Sequence, residues 1–259
     1  MNHGAERLLL IDTCGETAGV ALSAGDGIVA AQDLDTGRAS AGIVTGIREL
    51  LRQTGWSLAE LAAVAVVNGP GSFTGTRTGL AAAKGLCEAG GLPLVAVSRL
   101  AVLARAAKAP LAVLDAGRGE FYLRDEAGGD GGDAVERLCR LDDLAEILRD
   151  RAIAVSEERV RERRIGLGVR GIVFHPLHVG DALALALEAL RSGPQDAAVL
   201  VEANYLRQEG DIYARTQPVA YADTQQDTQP DTHQDTHQDT YQDTQQETYA
   251  DTSSGTAGK

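Results

Sequence analysis

The apolar run Ala62–Val67 breaks off into NGPGSFTGTRTGLAAAKGL, residues Asn68 to Leu86, a stretch with five glycines. An apolar run bounded by a turn reads as a buried strand, and a glycine turn leading from it into a helix calls for an α/β fold. Two physical readings compete for the glycines. A loop that opens a helix presents free N–H groups and the positive end of the helix dipole, which suits phosphate. Small residues also let another backbone come close. The Walker pattern G-x-x-x-x-G-K-[ST] is not met, because neither Gly69 nor Gly71 has a glycine five places on and Lys84 falls deep in the helix. Within the predicted helix Thr74–Ala89, Gly75, Gly79 and Ala83 form one stripe at i, i+4, i+8, and Ala81, Gly85 and Ala89 form a second. Glycine costs about 1 kcal/mol against alanine in a helix interior, so its repetition points to close backbone packing. The neighbour is either a helix of the same chain or helices of another subunit.

The flanking segments supply the rest of a compact unit of about 100 residues. Arg7–Asp12, Ala18–Ala24 and Gly27–Leu34 read as three strands joined by the turns TCGET and GDG. In Ser40–Gln53 the residues Ile43, Ile47, Leu50 and Leu51 fall on one helical stripe, and Gly55 ends it. Ser57 is placed to cap a short helical turn before the strand Ala62–Val67, and Leu92–Ser98 reads as a further strand. Beyond it, Leu111–Asp115 and Glu120–Arg124 read as a hairpin, Leu141–Arg151 and Val179–Ser192 as amphipathic helices, and Arg159–Arg164 as a solvated helix face. These readings divide the chain into residues 1–104, a smaller second domain at 105–216, and a tail at 217–259.

From Asp223 to Thr252 the chain repeats with a period of four as DTQQDTQPDTHQ and onward. Residues 223–259 hold eight acids and one lysine, which leaves the rest of the chain at −6 of the total −13. So little apolar content cannot offset chain entropy, and the tail is expected to be disordered. His233 and His237 stand at i, i+4, but threonine at every fourth place and repeating acids oppose the helix that a metal pair would need. A body with this charge lacks the basic stripe that grips nucleic acid unaided. Cys14, Cys87 and Cys139 are spaced for neither a disulfide framework nor a metal pair. With no apolar run of membrane-spanning length and no signal-peptide pattern, a cytoplasmic protein is expected.

Asp12 ends the first strand. In sugar-kinase and actin-like ATPases an acid at that place works near metal and phosphates, while elsewhere such an Asp is a turn residue. LLLIDTCGETAGVAL, VVNGPGSFTGTRTGLAAAKGL, LPLVAVSRLAVLA, LDAGRGEFY and YLR at Tyr205–Arg207 together resemble the TsaB family, accessory proteins of bacterial tRNA threonylcarbamoyladenosine synthesis. The match runs from about Leu8 to Ala214, and Gly69, Pro70, Gly71, Ser72, Phe73, Thr74 and Gly75, followed by Arg77, carry the specific signature. The resemblance implies an α/β fold of two actin-like (ASKHA) subdomains, the second reduced. It implies a helical surface that pairs with the catalytic homologue TsaD, for which Ser40, Ile43, Ile47, Gly75, Gly79 and Ala83 are the candidates. Asp12 and Thr13 would be vestigial phosphate-facing residues.

The catalytic homologue carries an H-x-x-x-H metal pair after the strand that corresponds to Leu92–Val97, and this chain has Arg99 and Leu103 at those places. His175 and His178, in HPLH, do not replace such a pair. The resemblance therefore implies a non-catalytic subunit with no cofactor or metal of its own, ATP and metal belonging to partner subunits. Its partners would be a TsaD-like transferase, a TsaE-like ATPase and, only through the complex, tRNA, with homodimerisation open when the partner is absent. Ala39 before Ser40, and Ala203 where P-x-Y-L-R has proline, depart from the family pattern. The rival reading is an active actin-like ATPase or phosphotransferase that uses Asp12 and the glycine turn, and a third is a homodimeric scaffold unrelated to tRNA.

Overall fold

The first strand, β1 (Arg7–Asp12), is apolar at every interior position, as befits a strand covered on both faces. It pairs antiparallel with β2 (Ala18–Ala24), which pairs antiparallel with β3 (Gly27–Leu34). On its other side β1 pairs parallel with β4 (Ala63–Val67), and β4 with β5 (Leu94–Val97), giving the order β3-β2-β1-β4-β5. Helices α1 (Ala39–Thr54) and α2 (Phe73–Gly90) make the crossovers. The computed structural model describes residues 5–35, 39–128, 132–148, 151–162, 171–192 and 198–207. All lie within one compact unit, Met1–Thr216. The expected tail at 217–259 falls outside the described residues.

A second sheet follows α3 (Arg99–Ala107). It comprises β6 (Leu111–Gly117), β7 (Glu120–Asp125), β8 (Val135–Arg140), β9 (Ala152–Val155) and β10 (Gly171–Phe174) in the order β10-β9-β6-β7-β8. Helices α4 (Leu141–Leu148) and α5 (Glu158–Glu162) lie between its strands in sequence. A 3-10 turn at Val179–Ala182 leads into α6 (Leu183–Arg191).

The two-residue period of the strands sorts the core into layers. Leu9, Ile11, Val20, Val64 and Val66 face α1 and α2, where they meet Ile43, Ile47, Leu50, Leu80 and Ala83. Leu8, Leu10, Ala63, Ala65 and Val67 point the opposite way, onto a middle layer made by Leu100 and Leu103 of α3 and Leu183 and Leu187 of α6. Ala112, Leu114 and Ala154 of the second sheet close that layer from its other side. The far face of the second sheet packs Val113, Phe121, Ile153 and Val155 against Leu144, Leu148 and Val160. The order is helix, sheet, helix, sheet, helix. Leu8, Leu9 and Leu10 are fully buried, which is worth about 1.5–3 kcal/mol for each side chain.

Three expectations from the sequence change at this level. The strand expected at Leu92–Ser98 is shorter, since Ser98 becomes the N-cap of α3 and its Oγ accepts from Ala101 N at 3.4 Å. The helix expected at Leu141–Arg151 runs to Leu148, and Arg151 is drawn to Asp125 by a two-pronged ion pair at 2.7 and 2.8 Å. The helix expected at Val179–Ser192 begins as a 3-10 turn, because Asp181 caps the backbone N–H of His178. Of the charged stretch Arg159–Arg164, the part through Glu162 is helical, and residues 163 and 164 are outside the described ones. A boundary near residue 104 separates the strands of the two sheets, but α6 and residues 198–207 return to the first sheet. Among the described residues no helix is long and apolar enough to cross a membrane.

Candidate functional site

The glycine-rich segment begins where β4 ends, and what lies opposite it is the turn after β1. Ser72 N donates to Cys14 O at 2.8 Å, and Thr13 Oγ1 donates to Gly75 O at 2.6 Å. A Cβ added to Gly71 would overlap the Cys14 carbonyl oxygen, one on Gly75 the Thr13 carbonyl oxygen, and one on Gly79 the Thr13 hydroxyl. The bare stripe therefore seats α2 on the Thr13–Cys14 backbone of the same chain. Ser72 caps the helix, its Oγ accepting from Gly75 N at 3.2 Å, and Gly91 ends it in the left-handed region at φ 61°. Two of the N–H groups that could have held a phosphate are thus satisfied internally.

This placement corrects part of the expected partner surface. Ile43, Ile47, Gly79 and Ala83 are buried in the core beneath α1 and α2, and Gly75 faces Thr13, so none presents a side chain outward. The Ser40 side chain lies outside the described ones. The outward faces of the same helices instead carry Val44, Thr45 and Arg48 on α1 and Arg77, Ala81, Gly85 and Ala89 on α2. Asp12 and Thr13, the expected vestigial phosphate-facing residues, are both engaged within the chain. Asp12 turns back on its own loop, Oδ1 accepting from Cys14 N at 2.9 Å, and Thr13 is engaged by α2. Burial pushes the Asp12 carboxyl above its ordinary range, against the opposing pull of Arg99.

The signature turn and the late YLR segment meet in space. Phe73, 58 % exposed, stacks with Tyr205 at 5.8 Å between centroids. The Arg77 guanidinium lies 3.8 Å from the Phe73 centroid, and its Nε donates to the Tyr205 hydroxyl at 2.7 Å. Asn204 N donates to Asn68 O at 2.8 Å, and Asn68 Nδ2 to Glu202 O at 3.0 Å, which pins the segment beside Gly69. Arg207 reaches the second sheet, donating to Glu120 Oε2 at 2.8 Å and Ala116 O at 2.9 Å.

A cleft of about 270 Å³ opens between the two sheets, lined by Cys14, Gly15, Glu16, Gly71, Ser72, Arg99, Asp115, Ala116, Gly117, Tyr122, Glu157 and Arg159. Asp12 and Thr13 are not in its wall. Its floor is Arg99, the first residue of α3, whose Nη1 meets Glu157 Oε1 at 3.1 Å with both side chains about 5 % exposed or less. Burial raises the Glu157 carboxyl while Arg99 opposes the shift. Cys14, in the cleft wall, donates Sγ–H to Val67 O at 3.0 Å, and burial pushes its thiol up to about 12. It is no nucleophile.

The family model for TsaD, tRNA N6-adenosine threonylcarbamoyltransferase, matches residues 38–162, from the start of α1 through α5. The chain is 33% identical over 224 residues to the tRNA threonylcarbamoyladenosine biosynthesis protein TsaB of Escherichia coli (strain K12), covering 78% of this chain and 94% of that one. This chain belongs to the TsaB family. A TsaB of Haemophilus influenzae is 34% identical over 122 residues, covering 45% of this chain and 52% of that one. The solved structure of YeaZ from Pseudomonas aeruginosa superposes with a TM-score of 0.62 at 26% identity, covering 78% of this chain and all of the other.

Within this TsaB chain, Asp115, Tyr122, Glu157 and Arg159 line the cleft; Asp115 and Tyr122 fall in LDAGRGEFY and Arg159 opens the stretch read as a solvated helix face, while Glu157 was not singled out. Arg159 Nε meets Asp115 Oδ2 at 2.9 Å, and Asp115 N donates to Glu157 Oε2 at 3.4 Å. Glu157, two residues after the short apolar run Ala152–Val155, pairs with an arginine 58 residues earlier. His175 and His178 are both tied to Asp181, through Nε2 at 3.2 Å and the backbone N at 2.8 Å.

Proposed function

We propose that this TsaB-family chain is the non-catalytic subunit of the complex that forms threonylcarbamoyladenosine next to the anticodon of tRNA. In this reading it binds and supports a TsaD-like transferase, reaches a TsaE-like ATPase through that partner, and meets tRNA only in the complex. The two sheets are two actin-like halves, the second reduced, and the protein works in the cytoplasm. With no partner present, two copies can pair through the same face. The outward faces of α1 and α2, with the exposed Phe73–Arg77–Tyr205 cluster beside them, are the partner surface we favour.

The observation that carries the reading is Arg99. The cleft floor, where a nucleotide-using relative needs a metal and phosphates, holds a fixed guanidinium paired with Glu157, and Leu103 one turn on is buried in the core. These residues do not fit a metal: an arginine cannot ligate one, and its charge repels it. The ATPase reading relied on Asp12, whose carboxylate is folded onto Cys14 N.

The test is reconstitution. The transferase and ATPase with this chain should modify tRNA, the same mixture without it should fall to background, and the chain alone should neither turn over ATP nor transfer threonylcarbamoyl. ATP turnover by the purified chain, abolished by Asp12→Ala, would overturn the proposal and favour the active enzyme.

A further inference from the structure

Arg99 does more than exclude a ligand. It starts α3 in the middle layer and reaches Glu157 in the loop after β9, so one side chain joins the helix that follows the first sheet to the second sheet. Its Nη2 also comes within 3.5 Å of Ser156 Oγ. The guanidinium lies flat on the turn after β1, because a Cβ on Gly15 would stand 2.5 Å from Nη2 and 3.3 Å from Nε. That Nε is buried and has no hydrogen-bond partner, so the packing against Gly15 is kept at the expense of one donor. Three chain segments thus converge on one planar cation: the end of β1, the start of α3 and the loop after β9.

We infer that Arg99 is a built-in clamp, an internal substitute for a ligand, that fixes the two walls of the cleft to each other by joining Glu157 to the Gly15 turn. The joining charge is part of the chain itself, so these walls are held in place without a ligand. The surrounding charges explain why removal matters. Asp12, Asp115, Glu157 and Glu16 stand around Arg99 and Arg159, and without Arg99 four acids are left with one arginine. A buried carboxylate stripped of its partner is strongly unfavourable, so the variant relieves it by opening the cleft to water or by taking up a replacement cation. The inference rests on the chain's geometry and stands whether or not the subunit reading is right.

Cys14 lines this cleft, whereas Cys87 is buried under α2 and Cys139 on the far face of the second sheet. The three thiols therefore report where the molecule opens. In the full chain, alkylation of each cysteine is followed by mass spectrometry for wild type, Arg99→Ala, Arg99→Lys and Glu157→Gln. Release of the clamp should speed Cys14 alkylation about tenfold or more in Arg99→Ala and Glu157→Gln relative to Cys87 and Cys139, because the opening is local rather than global. Adding methylguanidinium should restore slow Cys14 alkylation to Arg99→Ala, saturably, and leave wild type unchanged. Should Arg99→Ala not fold, Arg99→Lys and Glu157→Gln carry the same comparison. Equal acceleration of all three thiols would show a merely structural ion pair and overturn the clamp, as would unchanged Cys14 reactivity in every variant. Failure of reconstituted tRNA modification, with selective Cys14 exposure intact, would strike the subunit reading and leave the clamp standing.

Discussion

The two faces of α2 are built from the same residue types and meet opposite surroundings. On the inner face Gly75 and Gly79 are pressed against Thr13, and Ala83 is fully buried. On the outer face Ala81, Gly85 and Ala89 are exposed, and a Cβ on Gly85 would meet nothing within 4 Å. A stripe of small residues thus says only that something is allowed to come close. Which neighbour does so is decided by residues far away in sequence, here a turn about sixty residues earlier. The inner stripe serves the fold; the outer one is available to a partner.

The largest expected effect tests the inner face. Gly79→Leu forces a side chain into the space of the Thr13 hydroxyl and should lower stability by about 3 kcal/mol, the upper end of ordinary overpacking. For a chain of this size that is a fall in Tm of roughly 6–12 °C, read by calorimetry. Combining Gly79→Ala with Thr13→Ala should recover part of the loss of the first change, because the hydroxyl is the atom in the way. Gly75→Ala should not be recovered by any change at Thr13, since there the obstacle is a backbone carbonyl. If Gly79→Leu melts like wild type, the seat of α2 on the turn after β1 is wrong.

The next effect belongs to the outer face. Gly85→Leu adds a side chain into open space and replaces glycine within a helix, so Tm should hold or rise slightly. If this face docks the transferase, affinity should fall by about tenfold to a hundredfold, the equivalent of 1–3 kcal/mol of overpacking. Calorimetric titration of the partner decides it. Unchanged affinity would leave the outer stripe as ordinary surface and move the interface elsewhere.

A smaller effect couples the two faces. Ser72 caps α2 and fixes its start against Cys14, so Ser72→Ala should cost about 1 kcal/mol of stability, the usual loss for a cap. Because the same helix end carries Phe73 and Arg77, partner affinity should weaken modestly in parallel. Stability loss with unaltered affinity would show that the aromatic cluster at the helix start lies outside the interface.

How much of this was legible follows from how local each cause is. The three strands of the meander stand at the residues that the apolar runs between TCGET and GDG delimit, because run and turn are both local signals. Helix α3 passed unread: nine residues with the stripe RLAVLARAA give little periodicity, and its cap, Ser98, looked like the end of a strand. Strand β8, VERLCR, has no clean alternation because Glu136 points into a knot of polar contacts with Ser98, Arg124 and Asn204. Strands β9 and β10 are four residues each, too short to separate from loop. The signature turn was visible, as the glycine spacing is local. Its neighbour at Thr13–Cys14 was not, nor was the Arg99–Glu157 pair, since nothing in a single sequence marks two positions 58 residues apart as partners.

The smallest effect concerns the turn on which the inner face sits. Asp12 accepts from Cys14 N and so holds the loop that receives Gly71 and Gly75, yet burial raises its carboxyl above the ordinary 3.8. The folded chain then keeps a proton at pH values where the unfolded chain has released it. Stability from this group is greatest at low pH and is lost as pH rises from the ordinary value through the folded one. Asp12→Asn keeps an oxygen to accept from Cys14 N and removes the charge, so wild type should gain on the variant as pH falls from neutral toward about 4, where an unshifted carboxyl begins to titrate. Denaturant melts of both proteins across that range measure the difference. The opposite slope would mean that the attraction of Arg99 outweighs burial, so that the charged form of Asp12 is the one the fold prefers. Partner affinity, if the outer face carries it, should show no such dependence on residue 12. A pH-dependent change in affinity that differs between the two proteins would show that the two faces of α2 are mechanically linked through the turn.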